Sequence, residues 1–199
     1  AGGGIMWSPA ALVALVSGLS ALAVNINIQI LVRKSPQLTL YVWEPGAVLD
    51  VRLWWSEATA RRVLEGLGPE GRQANRRMYW MAGGDMWFPV CYATCLTALL
   101  WLTWPGVAVV IALPALTCAC DVAENVCVTA LIDSFGDGDR AALIADDSAA
   151  AQGDEPGAAT AQPAFPRWAV RIGPVATLCK WALLALCTSL LLGRWAGVL

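Results

Sequence analysis

Histidine is absent from the 199 residues of this chain. That one absence removes His-ligated haem, His-containing zinc and di-iron sites, Ser-His-Asp triads and Cys-His dyads formed within the chain. Charge is scarce as well: Asp, Glu, Lys and Arg make up 14% of the sequence, against about 25% in an ordinary soluble domain. The balance of 13 basic and 15 acidic residues gives a net charge of −2 and no basic face for a nucleic acid. No C-x-x-C pair occurs among the seven cysteines, so thioredoxin-like or quinone-linked thiol chemistry is not indicated. Cys91, Cys95, Cys118, Cys120, Cys127, Cys179 and Cys187 all fall in apolar stretches, where small, soft side chains suit close helix packing in lipid. Cys91 and Cys95 share a helix face without two further ligands beside them, and no metal site is expected.

What is abundant is apolar surface, at 58% of residues, gathered into four long runs. They predict an all-α membrane protein with spans at about 9–32, 78–104, 105–132 and 168–192. Each exceeds the ~20 residues needed to cross ~30 Å of hydrocarbon. Ser8 and Pro9 suit the cap and first position of span 1. Trp104-Pro105-Gly106 reads as the tight turn between spans 2 and 3. Trp7, Trp80, Trp101, Trp104, Trp168 and Trp195 fall at predicted ends, as interfacial anchors do. The first apolar run has no basic residues before it and is long enough to span, unlike a cleavable signal peptide.

Four spans put both termini on one side and two long loops, 33–77 and 133–167, on the other. Loop 33–77 holds eight basic residues, loop 133–167 adds Arg140 and Arg167, and the opposite side has only Arg194. The positive-inside rule then places the loops in the cytosol, mitochondrial matrix or chloroplast stroma. Within the first loop, Ser56–Gly66 reads as a short helix with Val63, Leu64 and Leu67 as its apolar side. Gly66-Leu67-Gly68-Pro69 breaks it, and Pro69 starts a second helix carrying Arg72, Arg76 and Arg77. Trp43, Trp54 and Trp55 suggest that this loop lies on the membrane surface or against a partner. A solvated basic collar is the plainer alternative. Loop 133–167 is rich in Ala, Gly and Asp, and by composition is expected to be disordered in isolation. Its Asp spacing has no closing Glu for an EF-hand. Order in that loop would point to a partner.

Charges within the spans carry the functional interest, because each costs on the order of 2.5–3.5 kcal/mol to insert. Asp85, Asp121, Glu124 and Lys180 fall there, with Asn25 and Asn125. Asp121 and Lys180 are level, at ~17 and ~18 Å from the loop side; Asp85, Glu124 and Asn25 lie ~10–12 Å deep. Asp121, Glu124 and Asn125 are spaced i, i+3, i+4 and share one face. The expectation is a Lys180–Asp121 pair, with Glu124, Asn125, Asp85 and Asn25 completing a buried network. Two carboxylates so close resist ionising together, so one is expected to hold a proton. Pro89, Pro114 and Pro174 would free the carbonyls of Asp85, Val110 and Val170. Such a network serves register and orientation, proton or substrate handling, or headgroup binding.

Three stretches carry a resemblance: Gly68-Pro69-Glu70-Gly71-Arg72 leading to Tyr79, Asp85-Met-Trp-Phe-Pro89 with Tyr92, and Asp121-Val-Ala-Glu-Asn125 followed by Lys180. Together they resemble a poorly characterised family of four-span membrane proteins with G-x-x-G-R, D-x-x-F-P and D-x-x-E-N motifs. The resemblance covers roughly 56–132 and 168–192. It departs at Asn75, where an aromatic residue is expected. It implies the four-span fold and no settled activity. Light-harvesting antennae do not match: they have three spans and an E-x-x-N/H-x-R motif, whereas Asn125 directly follows Glu124 here and Thr129 stands where the Arg belongs. Sterol-isomerase-like bundles need histidine.

Two functions are expected from these features. The first is an accessory subunit of a large organellar membrane complex, a photosystem before a respiratory complex. It would sit in a thylakoid or mitochondrial inner membrane among other membrane subunits. Chlorophyll, carotenoid or lipid would bind at its surface, with Glu124 and Asn25 as candidate ligands. The second is a small membrane enzyme or transporter built on Asp85, Asp121, Glu124 and Lys180. No catalytic constellation marks it as an enzyme.

Overall fold

Ser8 starts the first helix: its Oγ accepts the Ala11 N–H at 3.2 Å, a side-chain cap on an end that would otherwise leave its N–H groups bare. The computed structural model describes residues 8–34, 49, 52–152 and 164–197, with side chains described for 8–30, 49, 52–136 and 164–197. The described residues are helical and contain no strand. Helix α1 spans Pro9–Lys34, α2 Glu57–Trp80, α3 Phe88–Thr103, α4 Ala108–Gln152 and α5 Arg167–Trp195. Among the described residues three stretches are long and apolar enough to cross a membrane: Pro9–Ile30, Ala108–Gly136 and Arg167–Trp195. Their length and composition are compatible with an integral membrane protein. Trp7, Trp43 and 153–163 lie outside the described residues.

Helix α2 differs from the expectation of a surface collar. Ser56 caps it, accepting the Thr59 N–H at 3.2 Å, and Gly68, at φ +64°, kinks it before Pro69. Only a residue without a Cβ adopts that φ cheaply. The apolar side formed by Val63, Leu64 and Leu67 is buried, as are Met78 and Tyr79. Arg72 is buried too: its Nη1 donates to the Leu64 carbonyl at 2.9 Å and its guanidinium stacks 4.8 Å over Phe135. Trp55 is enclosed against α5, whereas Trp54 is exposed. The tryptophans of this segment therefore divide between the core and the surface.

The second apolar run also differs. It is not one helix over 78–104: α2 ends at Trp80, a turn covers 81–87, and α3 has only 16 residues. The turn folds back on α2, with the Asp85 N–H on the Met78 carbonyl at 3.0 Å and the Met86 N–H on the Tyr79 carbonyl at 3.2 Å. Gly84 makes this possible, because a Cβ there would stand 2.1 Å from the Met78 carbonyl oxygen. Pro89 sits in the first turn of α3, where its missing N–H costs nothing, so it frees no carbonyl in a helix interior. Pro114 and Pro174 do lie inside helices.

The turn at Trp104-Pro105-Gly106 is where the sequence placed it, with Gly106 at φ +83°. The helix after it starts at Ala108 and does not stop at Ile132; α4 runs on to Gln152, 45 residues in all. Composition averaged over 133–167 hides an alanine-rich run beyond Arg140, and alanine is the best helix former. Continuity with α4 accounts for the helix over 133–152.

Helices α1, α3, α4 and α5 run alternately up and down, and α2 packs along the loop-side half of α4. Two apolar cores result. One, at the loop-side end, joins Trp55, Leu64, Tyr79, Val128, Leu131 and Phe165 from α2, α4 and α5 and the segments leading into them. The other, at the far end, joins Leu100, Cys187 and Leu191 with Trp104 and Leu113. Helix α1 packs mainly on α3 and leaves most of its apolar surface outward, with Ala14 and Ser17 buried.

Candidate functional site: a buried ionic cluster between the two cores

The loop-side and far-side cores leave one polar layer between them. Helices α4 and α5 run antiparallel there, which brings Asp121 and Glu124 opposite Lys180. Lys180 Nζ lies 3.2 Å from Asp121 Oδ1 and 2.5 Å from Glu124 Oε2. The Tyr92 hydroxyl of α3 donates to Asp121 Oδ2 at 2.9 Å, and the Thr177 hydroxyl of α5 to Glu124 Oε1 at 2.5 Å. Thr177 Oγ1 is also 2.9 Å from the Gly173 carbonyl. Every carboxylate oxygen therefore faces an ammonium or a hydroxyl. Glu124 is 0% exposed and Asp121 and Lys180 each 7%, so the cluster is closed to its surroundings.

The helical phase explains the arrangement. Asp121 lies in the middle of the inward face of α4 and reaches both α3 and α5. Glu124 is turned towards α5, and Thr129 towards α2. Thr129 confirms the phase: its hydroxyl sits 2.8 Å from the Asn125 carbonyl and accepts the Trp80 indole N–H at 3.1 Å.

The sequence-derived residues fall in different places. Asp121, Glu124 and Lys180 meet. Asn125 shares their helix face and is fully enclosed, but its side-chain amide has no hydrogen-bond partner among the described residues. Asp85 is half-buried in the 81–87 turn, close enough to Tyr92 to act on its hydroxyl electrostatically. It is not in a spanning helix, because α3 begins only at Phe88. Asn25 is exposed on α1; Asn27 is the one that turns inward, donating to the Gly83 carbonyl at 3.1 Å. The i, i+2 step carries the side chain about 200° round the helix, which the depth argument could not resolve.

Two members were not anticipated, Tyr92 and Thr177. Thr177 stands three residues before Lys180 and so on its face, a signal present in the sequence. Tyr92 follows the first turn of α3, and its place depended on where that helix starts.

Among the described residues no three His, Cys, Asp or Glu side chains could hold a metal. Glu124 Oε1 accepts the Thr177 hydroxyl and Oε2 faces the Lys180 ammonium. Three grooves of about 540, 410 and 430 Å³ lie on the flanks, the first among α1, α3 and α4, the second between α1 and α3 and the third between α4 and α5. Asp121, Glu124 and Lys180 line none of the three.

Compared with protein-family models, curated proteins and solved structures, the chain matches none. What the cluster does is therefore read from its geometry.

Proposed function

We propose that the chain is an accessory integral-membrane subunit of a larger membrane complex, and that its ionic cluster fixes how three of its four spanning helices, α3, α4 and α5, register. In this reading α1, α3, α4 and α5 all cross the bilayer. Helix α3 alone covers ~24 Å at 1.5 Å per residue, and the turns at its two ends extend it to the ~30 Å required. By the positive-inside rule, the basic residues of 33–77 support a loop side that faces the cytosol-like compartment. Organelle and complex, a photosystem before a respiratory complex, are proposed on composition alone.

The observation that carries the reading is the closure of the cluster. Lys180, Asp121 and Glu124 are enclosed facing one another, Tyr92 and Thr177, and they line none of the three flank grooves. An active site needs a place for substrate; a register lock needs none. The apolar flank of α1, packed mainly on α3, supplies surface for neighbouring subunits.

A second reading is a small enzyme or transporter that moves protons through Asp85, Tyr92, Asp121, Lys180 and Glu124. One observation favours it. The Asn125 amide is enclosed on the Asp121 face without a protein partner, and such groups commonly hold an ordered water.

Native electrophoresis of gently solubilised source membrane separates the two. Co-migration with a larger complex is the expected result. Migration as a monomer or small homo-oligomer overturns the subunit reading. In the same experiment Asp121→Asn is expected to reduce assembly and bilayer-extracted yield together, with no separable activity lost.

A further inference from the structure

Helix α5 carries two cations that the buried cluster does not use. Arg167 and Arg171 are exposed and stand four residues apart, on one face of its first two turns. Neither has an ion pair among the described residues. Trp168, between them, is 47% exposed.

The same i, i+4 row continues as Val175 and Cys179, and it enters the groove of about 430 Å³ between α4 and α5. Arg171, Val175 and Cys179 form one wall; Leu116, Cys120 and Ala123 of α4 form the other. Arg171 is the one charged side chain lining that groove, and it stands at the loop-side end. From Arg171 to Cys179 the groove runs ~12 Å, close to the ~15 Å thickness of one leaflet. Asp121, Glu124, Thr177 and Lys180 do not line it, so it is separate from the ionic cluster.

We propose that this flank binds one anionic phospholipid, with its phosphate on the Arg167–Arg171 pair and an acyl chain in the α4–α5 groove. Two guanidiniums one turn apart offer forked donors that fit phosphate oxygens bidentately. Their aliphatic stems lie along the apolar wall while the charged heads reach headgroup level. Trp168 lies at that depth, where indole rings collect. A free phosphate would use the arginines but not the groove, and a neutral lipid the groove but not the arginines. Only an anionic lipid uses both. This site stands whether or not the chain is a subunit of a complex.

The test uses the full chain in nanodiscs of mixed phosphatidylcholine and phosphatidylglycerol, with retained lipid counted by native mass spectrometry after detergent release. One retained phosphatidylglycerol per chain is expected. Arg171→Gln should lower its retention about fivefold, and the Arg167→Gln/Arg171→Gln double variant more, on the scale of one basic residue at a charged lipid surface. Val175→Trp fills the groove without touching charge and should lower retention too. Arg62→Gln, which removes an exposed loop-side charge elsewhere, should not. Helix content by circular dichroism checks that each variant is folded. Equal retention by Arg171→Gln and wild type, equal retention of phosphatidylcholine, or loss of the lipid on adding inorganic phosphate would each overturn the proposal.

Discussion

The Trp55 ring lies so close to the backbone of Gly173 that a Cβ built on that glycine would stand 2.4 Å from Trp55 Cζ2. The contact joins the segment leading into α2 to the middle of the loop-side core. It also fixes the turn of α5 from which Thr177 reaches Glu124, since Thr177 bonds the Gly173 carbonyl. Gly173→Ala is therefore expected to destabilise the bundle by about 1–3 kcal/mol, the range of overpacking in a closed core. Thermal unfolding in detergent measures it. Trp55→Phe removes the clashing ring atoms, so the double variant should recover part of the loss, and strict additivity would refute the contact as the cause.

Tyr92 reaches from α3 to the cluster, its hydroxyl donating to Asp121 Oδ2 at 2.9 Å. A hydrogen bond to a charged acceptor contributes about 1.5–3 kcal/mol, and removing the hydroxyl leaves a carboxylate oxygen enclosed. Tyr92→Phe should lower the unfolding temperature accordingly while keeping helix content. Cysteine cross-linking between α3 and α4 should lose site selectivity in this variant. Unchanged stability would mean that α3 is held by its apolar contacts alone.

Much of this was legible beforehand. The i, i+3, i+4 spacing of Asp121, Glu124 and Asn125 and the depth of Lys180 bring α4 and α5 together without a structure, because helical rise and phase are fixed by the backbone. The turn at Pro105-Gly106 was legible for the same local reason. The break at 81–87 was not. Met78 to Thr103 reads as one apolar run, and only the tertiary fit of Gly84 under the Met78 carbonyl ends the helix there. Asn25 and Asn27 look alike in sequence; which one faces inward depends on the rotation of α1 about its axis. The three motif stretches acquire a common sense in the fold. Gly68 kinks α2, Arg72 closes that kink on Leu64 and Phe135, and Asp121, Glu124, Tyr92 and Lys180 form the polar layer.

Arg76 and Asp133 form an exposed ion pair between α2 and α4, with the two side chains 52% and 46% exposed. The hydrogen bond that Arg76 donates to Asp133, with the carboxylate's charge, holds the guanidinium above its ordinary pKa. A group raised in this way contributes stability that is complete below its unfolded pKa and lost only as pH rises through the folded value. For arginine that window lies far above neutrality, so Arg76 should add no pH dependence in ordinary buffers. Exposed pairs contribute about 0–1 kcal/mol. Arg76→Gln should therefore change stability by less than about 1 kcal/mol, and the difference should shrink in high salt. A larger or salt-independent loss would show that this pair does more than fasten α2 to α4.

Lys180 is the residue on which the register argument turns. It is a single ammonium between two carboxylates, enclosed on α5 with Thr177 one turn below it. Removing one partner of a buried pair is expected to cost about 3–5 kcal/mol, because the charges left behind have no water to turn to. Lys180→Met should therefore abolish folded yield or lower the unfolding temperature more than any substitution above. Replacing the whole set by neutral groups of similar shape removes the uncompensated charge as well as the attraction. The triple variant Lys180→Met/Asp121→Asn/Glu124→Gln should recover most of the stability if the cluster is a register lock. A triple variant that folds and assembles normally but loses a measurable proton-coupled activity of the source membrane would instead assign the cluster to chemistry.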